Sequence, residues 1–126
     1  MSLSAVRAIL DLVERIDVAF VGVGSIGDSA PLVQDGIITR QEAGAMRDLG
    51  AVGEITGWAF DSAGRVLSEG VNLRVAGAPL KKAGNRLVVG VAMGPSRRAP
   101  LRAALTGGLL SGLVTDESTA EHLLQR

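Results

Sequence analysis

The sequence predicts an α/β domain of three layers, in which helices flank a mostly parallel sheet. Apolar, β-branched runs alternate with segments of helical periodicity along the chain, which is typical of this class. The runs at 18–23 and 86–93 are apolar at nearly every position, as in strands that are buried on both faces. A length of 126 residues with 47% hydrophobic residues fits one compact domain with a sizeable core.

Two helices are predicted in the first half of the chain. Apolar residues recur at helical spacing over residues 4–16 and predict an amphipathic first helix. The second helix, over 40–49, begins after a capping box formed by Thr39 and Glu42 and ends at Gly50.

Two further helices are predicted near the end. One covers residues 97–106 with Ser96 as its N-cap. The other opens at Thr115 and Asp116 and continues to about Gln125.

The remaining segments predict strands and turns. "EITGWAFDSAGRVLSEG" indicates a β-hairpin over about 53–69 with its turn at Asp61–Gly64, in which Trp58 packs into the core. An irregular connection with breakers at Gly77, Pro79 and Gly84 follows over 71–85, and the last strand is "LLSGLVT" at 109–115.

Composition excludes several classes of function. Thirteen basic and thirteen acidic residues cancel, and there are only three aromatic residues, which argues against direct nucleic-acid contact. Without cysteine, and with His122 as the single histidine, neither a metal cluster nor a histidine-based triad can be assembled, and no cofactor is expected. No apolar run is long enough to span a membrane and no signal peptide is visible, so a cytoplasmic location is expected.

The stretch Gly22–Gly27 fits the dinucleotide pattern G-x-G-x-x-G. That fingerprint requires a long helix directly after the glycines, and Pro31 and Gly36 interrupt it. The glycines therefore indicate either a tight turn at a strand end or a strand end left open for a ligand. On the second interpretation, Gly24 and Ser25 line the site.

Three strand ends resemble one another in a way that favours a shared rim. "FVGVGS" at 20–25 is similar to "VVGVAMGPS" at 88–96, and a third strand ends at Thr115-Asp116-Glu117. If these strands are parallel, their carboxyl ends form one edge, where open α/β sheets bind ligands. Asp116 and Glu117 are read as helix-capping residues that also lie on this rim.

Charged residues near this rim are candidate ligand contacts. Arg97 and Arg98 fall in the first turn of a predicted helix, where backbone N–H groups already favour an anion. Alternatively, both side chains extend into solvent. Glu54 follows "GAVG" where a strand is expected to begin, so its carboxylate is either exposed at a sheet edge or accepts hydrogen bonds from ligand hydroxyls.

Several long motifs together resemble the SorC family of bacterial sugar-responsive transcriptional regulators. They are "VGVGS" at 21–25, "GAVGEITGWAFDSAG" at 50–64, "NLRVAG" at 72–77 and "VAMGPSRRAPLRAALTGGLLSGLVTDESTA" at 91–120. The family joins an N-terminal helix-turn-helix to a C-terminal effector domain that binds sugars, and the resemblance extends from about residue 5 to 124.

The resemblance implies a fold related to sugar-phosphate isomerases and CoA-transferase-like proteins, and a phosphorylated sugar as effector. Ligand binding would alter oligomerisation and operator binding by the full regulator. Arg97 matches a position that contacts phosphate, Glu54 an acidic position that is a partner for sugar hydroxyls, and Gly94 a glycine whose backbone approaches the ligand. Met93 and Leu73 depart from the family pattern.

Only the C-terminal half of the effector domain is matched, so residues 1–126 are expected to form a single partial sugar-binding domain without the DNA-binding domain. We expect a binding module without catalysis, which forms homo-oligomers and has no membrane partner. The alternative is a small sugar-phosphate isomerase-like enzyme that uses Glu54 or Asp116 as its base. A purely structural role in oligomerisation, through an uncovered sheet face, is a third possibility.

Overall fold

Two separate three-stranded sheets organise the computed structural model, which describes residues 3–68 and 79–125. The strands are β1 (Val18–Gly22), β2 (Gly24–Ser25), β3 (Ala51–Ile55), β4 (Trp58–Asp61), β5 (Leu87–Val91) and β6 (Gly112–Val114). The helices are α1 (Leu3–Val13), α2 (Pro31–Gln34), α3 (Arg40–Asp48), α4 (Arg98–Thr106) and α5 (Glu117–Leu124).

The first sheet is parallel and has the strand order β1-β5-β6. Its register pairs Val18 with Leu87 and Gly22 with Val91, so the carboxyl ends of β1 and β5 are level. The predicted rim of three parallel strand ends is therefore confirmed.

The second sheet is antiparallel, with β3 between β2 and β4. The prediction of one mostly parallel sheet is wrong for these strands. The chain leaves the parallel sheet at Gly22, and after Val23 it pairs Gly24 with Glu54 in the other sheet. The glycine-rich stretch thus carries the chain from one sheet to the other.

The predicted turn at Asp61–Gly64 is confirmed, and residues 53–69 contain an additional, earlier turn that was not predicted. Strands β3 and β4 are joined by Thr56 and Gly57, which both have positive φ (52° and 90°). Positive φ at both positions matches the right-handed twist of the paired strands. Asp61–Gly64 forms a later turn, in which the Asp61 carboxylate accepts hydrogen bonds from the N–H groups of Ala63 and Arg65.

Two hydrophobic clusters hold the layers together. In the larger one, Leu101 and Ala104 of α4 pack with Ile55 and Phe60 of the antiparallel sheet. Side chains from the inner face of the parallel sheet pack against the same cluster. In the smaller one, α3 contributes Ala43 and Met46 to a cluster with residues of β3 and β4. Trp58 is only partly buried, in contrast to the predicted core position.

One face of the parallel sheet is exposed in the described residues. Burial alternates along β1, so that Phe20 is 70% exposed while Val21 packs against the core. The prediction that β1 is buried on both faces is therefore wrong, and within residues 3–68 and 79–125 no layer covers the outer face of this sheet. The exposed residues of this outer face are Val18, Phe20, Leu87, Val91 and Val114, and the partly buried Val89 lies among them.

The predicted helices are present, with one different beginning. α1, α3 with its capping box, and α5 with Asp116 as N-cap agree with expectation, although α1 has no buried residue. Before α4, Pro95–Arg97 form a 3-10 turn, and no side chain caps either segment, so Ser96 is not an N-cap. Gly94, with φ of 96°, opens this turn because its backbone conformation is rare for other residues.

Residues 79–86 form the irregular connection that was predicted, whereas "NLRVAG" with Leu73 and Gly77 lies outside the described residues. Within residues 3–68 and 79–125, none of the helices has the length and apolar character needed to cross a membrane.

Candidate functional site

A cleft of about 910 Å³ opens where β1 and β5 end. One wall comes from these strand ends, another from the β3–β4 hairpin, and a third from the segment that includes α2 and leads to α3. The lining residues are Gly22, Val23, Gly24, Pro31, Leu32, Asp35, Ile37, Ile38, Glu54, Thr56, Gly57, Val91, Ala92, Met93 and Arg97.

Glu54 is a buried carboxylate that lines this cleft. It lies in the central strand of the antiparallel sheet and is 9% exposed. The Gly57 N–H donates a hydrogen bond to Glu54 Oε2 at 3.0 Å. Burial raises the pKa of Glu54, while the Gly57 hydrogen bond and the Arg97 charge oppose that rise. The carboxylate is therefore not at an exposed sheet edge, which was the alternative open from the sequence.

Arg97 also lines the cleft. Its guanidinium Nη1 lies 3.4 Å from Ser25 Oγ, which links the end of β2 to the turn before α4. Among the described residues no direct ion pair joins Arg97 to Glu54, although the arginine acts on the carboxylate electrostatically. A cation and a carboxylate thus border one cavity without neutralising each other by contact.

The loop that carries Arg97 is fixed by Asp116. Its Oδ1 accepts a hydrogen bond from the Gly94 N–H at 3.0 Å, and its Oδ2 accepts one from the Thr119 N–H at the start of α5. The Thr119 hydroxyl donates to Oδ1 at 2.7 Å. These hydrogen bonds hold the pKa of Asp116 far below its usual range. The largest effect comes from the Thr119 hydroxyl, followed by the Gly94 and Thr119 N–H groups. Asp116 therefore caps α5 and also connects two neighbouring strand ends.

The six residues predicted for the site are not all brought together. Gly24, Glu54 and Arg97 line the cleft, and Ser25 contacts Arg97. Gly94 and Arg98 are not lining residues: Gly94 is held by Asp116, and Arg98 donates to Ser118 Oγ of α5 at 2.9 Å.

The sequence reasoning missed one wall of the cleft, the segment 31–38. Pro31 and Gly36 were considered as residues that interrupt a long helix, whereas Pro31–Gln34 form a short helix with proline at its start. Pro31 followed by Leu32 and Val33 was the available signal. Met93 was noted as a family departure and not as a lining residue.

The described part of the chain contains no group of histidine, aspartate and glutamate side chains that could hold a metal ion. His122 lies in the last turn of α5, where its carbonyl accepts a hydrogen bond from Arg102 at 2.8 Å.

Comparison with known proteins identifies the domain. Residues 1–125 match the family described as "Putative sugar-binding domain". This chain belongs to that family. Its sequence is 34% identical over 119 residues to the erythritol catabolism regulatory protein EryD of Brucella abortus, covering 94% of this chain and 38% of EryD.

Solved structures of the sugar-binding domain family have the same fold. A DeoR family transcriptional regulator from Listeria monocytogenes superimposes with a TM-score of 0.89 at 28% identity, over 96% of this chain and 49% of that one. The full-length sorbitol operon regulator SorC from Klebsiella pneumoniae gives 0.85 at 26% identity, over 99% and 40%. The chain thus spans less than half the length of these relatives.

The resemblance to the SorC family predicted from the motifs is confirmed, and so is the α/β fold at the level of a parallel and an antiparallel sheet. The relatives named above are transcriptional regulators, which agrees with the expectation of a binding module without catalysis.

Proposed function

We propose that this sugar-binding domain recognises a phosphorylated sugar and serves as part of the effector module of a SorC-type transcriptional regulator. Arg97 contacts the phosphate, and Glu54 accepts hydrogen bonds from sugar hydroxyls. Operator contact belongs to a helix-turn-helix outside residues 1–126, in a cytoplasmic homo-oligomer. The fold is, on this proposal, related to that of sugar-phosphate isomerases and CoA-transferase-like proteins.

The observation that carries the proposal is the pair Arg97 and Glu54 on one cleft. A guanidinium binds phosphate oxygens through several N–H donors, and it stays charged at every physiological pH. Among the described residues only the Gly57 N–H donates to the Glu54 carboxylate, so the carboxylate retains the capacity to accept hydrogen bonds from hydroxyl groups. The two groups therefore suit the two chemically different ends of a sugar phosphate.

Ser25, Gly24 and Gly94 have supporting roles in this proposal. Ser25 orients the Arg97 guanidinium, Gly24 leaves room for the Glu54 carboxylate, and Gly94 begins the turn that carries Arg97. Arg98 contacts Ser118, so we assign it a weaker part in binding than Arg97.

Calorimetric titration of sugar phosphates and the matching unphosphorylated sugars tests the proposal. Arg97→Ala is expected to weaken sugar phosphate binding by about 1.5–3 kcal/mol, the usual worth of a hydrogen bond to a charged group. Arg40→Ala, on the exposed first turn of α3, is the matched control and should bind like wild type. Equal binding by wild type and Arg97→Ala, or binding of unphosphorylated sugars alone, would contradict the phosphate assignment.

A further inference from the structure

The outer face of the parallel sheet lacks the helix layer that such sheets usually have. Sheets of parallel strands occur almost only where helices cover both faces. Here α4 covers the inner face, where residues of all three strands pack against the cluster that contains its Leu101. On the outer face Phe20 is 70% exposed. The strand positions that point outward are all apolar or glycine: Val18, Phe20, Gly22, Leu87, Val89, Val91, Gly112 and Val114.

Helix α1 carries an apolar surface of its own that is also uncovered. Among the described helices longer than one turn, it alone has no buried residue. Val6, Leu10 and Val13 form a half-buried stripe at helical spacing. Ile9 and Leu12, turned away from that stripe by about 100°, are 55% and 60% exposed. A helix that is apolar on two sides usually lies between two layers, and the second layer is missing from the single chain.

The chain's own α1 leaves the outer face open. Residues 14–17 join this helix to β1. Lys81 Nζ donates a hydrogen bond to Glu14 Oε1 at 2.8 Å, which ties the end of the helix to the connection before β5. With the helix in this position, Phe20 remains exposed, and so do Ile9 and Leu12. Both apolar surfaces of one chain are therefore available to a second molecule.

The two surfaces match in length and are large enough for a specific interface. α1, with 11 residues, and the five-residue strands β1 and β5 are each about 16 Å long. The exposed fractions of Ile9, Leu12 and Ile16, together with those of the outer face, correspond to about four whole side chains, or about 400 Å² of apolar surface per copy. Two copies that cover each other would bury about 800 Å² of apolar surface. With the usual polar share this is about 1,300 Å² in all, the size of a standard specific interface.

We propose that α1 of a second copy covers the outer face, and that the exchange is reciprocal, so that each copy gives its helix and receives that of its partner. Such a symmetric pair covers both apolar surfaces of both chains and closes as a dimer. Arg7 and Asp11 lie on the side of α1 away from Ile9 and Leu12 and stay in water. The inference rests on the homo-oligomer of the proposed function, whose interface it specifies, and it is independent of the ligand in the cleft.

Cysteine cross-linking tests this pairing, because the chain contains no cysteine. Ile9→Cys and Leu87→Cys are prepared as separate proteins, mixed in equal amounts and treated with a short bismaleimide, and the linked peptides are identified by mass spectrometry. Cysteine keeps an apolar character and both positions are exposed, so the fold is retained. We expect at least about tenfold more product joining positions 9 and 87 than in the control mixtures, since contact raises the effective concentration from micromolar to millimolar.

Asp11→Cys is the matched control, because it lies on the same helix and is exposed on the other side from Ile9. Its mixture with Leu87→Cys should give only background product, and so should Ile9→Cys mixed with Leu105→Cys on α4. Equal cross-linking from positions 9 and 11 would overturn the inference. An excess of products that join two copies of position 9, or two of position 87, over the mixed product would overturn it as well.

A double variant, Ile9→Cys with Leu87→Cys in one chain, tests whether α1 instead moves onto its own sheet. We expect its cross-linking to decline on dilution, as an interface between two chains requires. Cross-linking that persists within the monomer overturns the inference, and so does a wild type that sediments as a monomer at micromolar concentration. Calorimetric binding of sugar phosphates is measured separately, so these results leave the proposed ligand standing.

Discussion

Gly24 and Glu54 face each other in the register of β2 and β3, and the Glu54 carboxylate occupies the space that a side chain at position 24 would need. A Cβ at Gly24 would collide with Glu54 Oε1 and lie 3.1 Å from its carboxyl carbon. The glycine is thus required by the position of the carboxylate, although its backbone φ is not of the kind that only glycine adopts. The second glycine of "VGVGS" is therefore explained by the position of the Glu54 carboxylate in the cleft and not by nucleotide binding.

Gly24→Ala should displace the Glu54 carboxylate from its place beside Gly57. We expect a loss of about 1–3 kcal/mol in the free energy of unfolding, which is the usual cost of overpacking. Weaker sugar phosphate binding should accompany it, because the carboxylate is then misplaced. Chemical denaturation and calorimetric titration measure the two effects.

Gly27→Ala is the control for this substitution. Among the atoms of the described residues, none lies within 4 Å of a Cβ built at Gly27, so the variant should resemble wild type in both measurements. If Gly24→Ala bound ligand as well as Gly27→Ala does, the position of the Glu54 carboxylate would not matter for binding.

Local signals in the sequence were sufficient where a short stretch determines its own conformation. Thr39 and Glu42 predicted the capping box of α3, because both partners lie within one helical turn. The parallel rim followed from three similar strand ends. The turn at Thr56-Gly57 was missed because Thr is an uncommon residue at positive φ, whereas Asp61–Gly64 carries the usual turn residues.

Other features depend on contacts between distant residues, and the sequence left them open. Arg97 and Arg98 are adjacent, and only the fold directs one to Ser25 and the other to Ser118. Asp116 was expected to cap α5, but its hydrogen bond to Gly94 bridges residues 22 positions apart. The exposure of Phe20 likewise depends on what covers the sheet, and an apolar strand pattern contains no information on that point.

Glu54→Gln tests the cost of burying the carboxylate. Since burial raises the pKa of Glu54 in the folded state, the unfolded chain releases this proton at lower pH than the folded one. Stability of the wild type should therefore fall, through this group, as pH rises from below the usual glutamate pKa to above the raised one. Glutamine does not titrate, so the melting temperature of Glu54→Gln relative to wild type should increase over this range, by a few degrees.

Thermal unfolding of both proteins from pH 4 to pH 8 measures this difference. An unchanged or decreasing difference in melting temperature would contradict a raised pKa. The same variant should bind sugar phosphates more weakly, because the amide replaces one acceptor oxygen by a donor.

Asp116→Asn tests the link between α5 and the Gly94 turn. Because the pKa of Asp116 is lowered by the fold, its contribution to stability is present above the usual aspartate pKa and is lost as pH falls below it. The variant should therefore melt below wild type at neutral pH, and the two should converge as pH falls below about 4. Sugar phosphate affinity at neutral pH should decrease several-fold, since the turn carrying Arg97 loses a charge-assisted hydrogen bond.

The control is Asp11→Asn on the exposed surface of α1. Its melting temperature should follow that of wild type at every pH. A constant gap between wild type and Asp116→Asn across the acid range would show that the carboxylate charge is not what stabilises the turn.

Phe20→Ser tests whether the outer face of the parallel sheet drives self-association. On the outer face, Phe20 of the edge strand β1 is 70% exposed, and Val18, Leu87 and Val114 are 41%, 46% and 55% exposed. A contiguous apolar face of this kind gains free energy by association with a second copy. We expect light scattering to show dimers or larger species of the wild type at micromolar concentration. Phe20→Ser should raise the dissociation constant by at least about tenfold, because a buried phenylalanine contributes about 1.5–3 kcal/mol. Leu105→Ser, at an exposed position on α4, should leave the equilibrium unchanged. A wild type that is monomeric at these concentrations, or a Phe20→Ser variant that associates equally well, would contradict the role of this face.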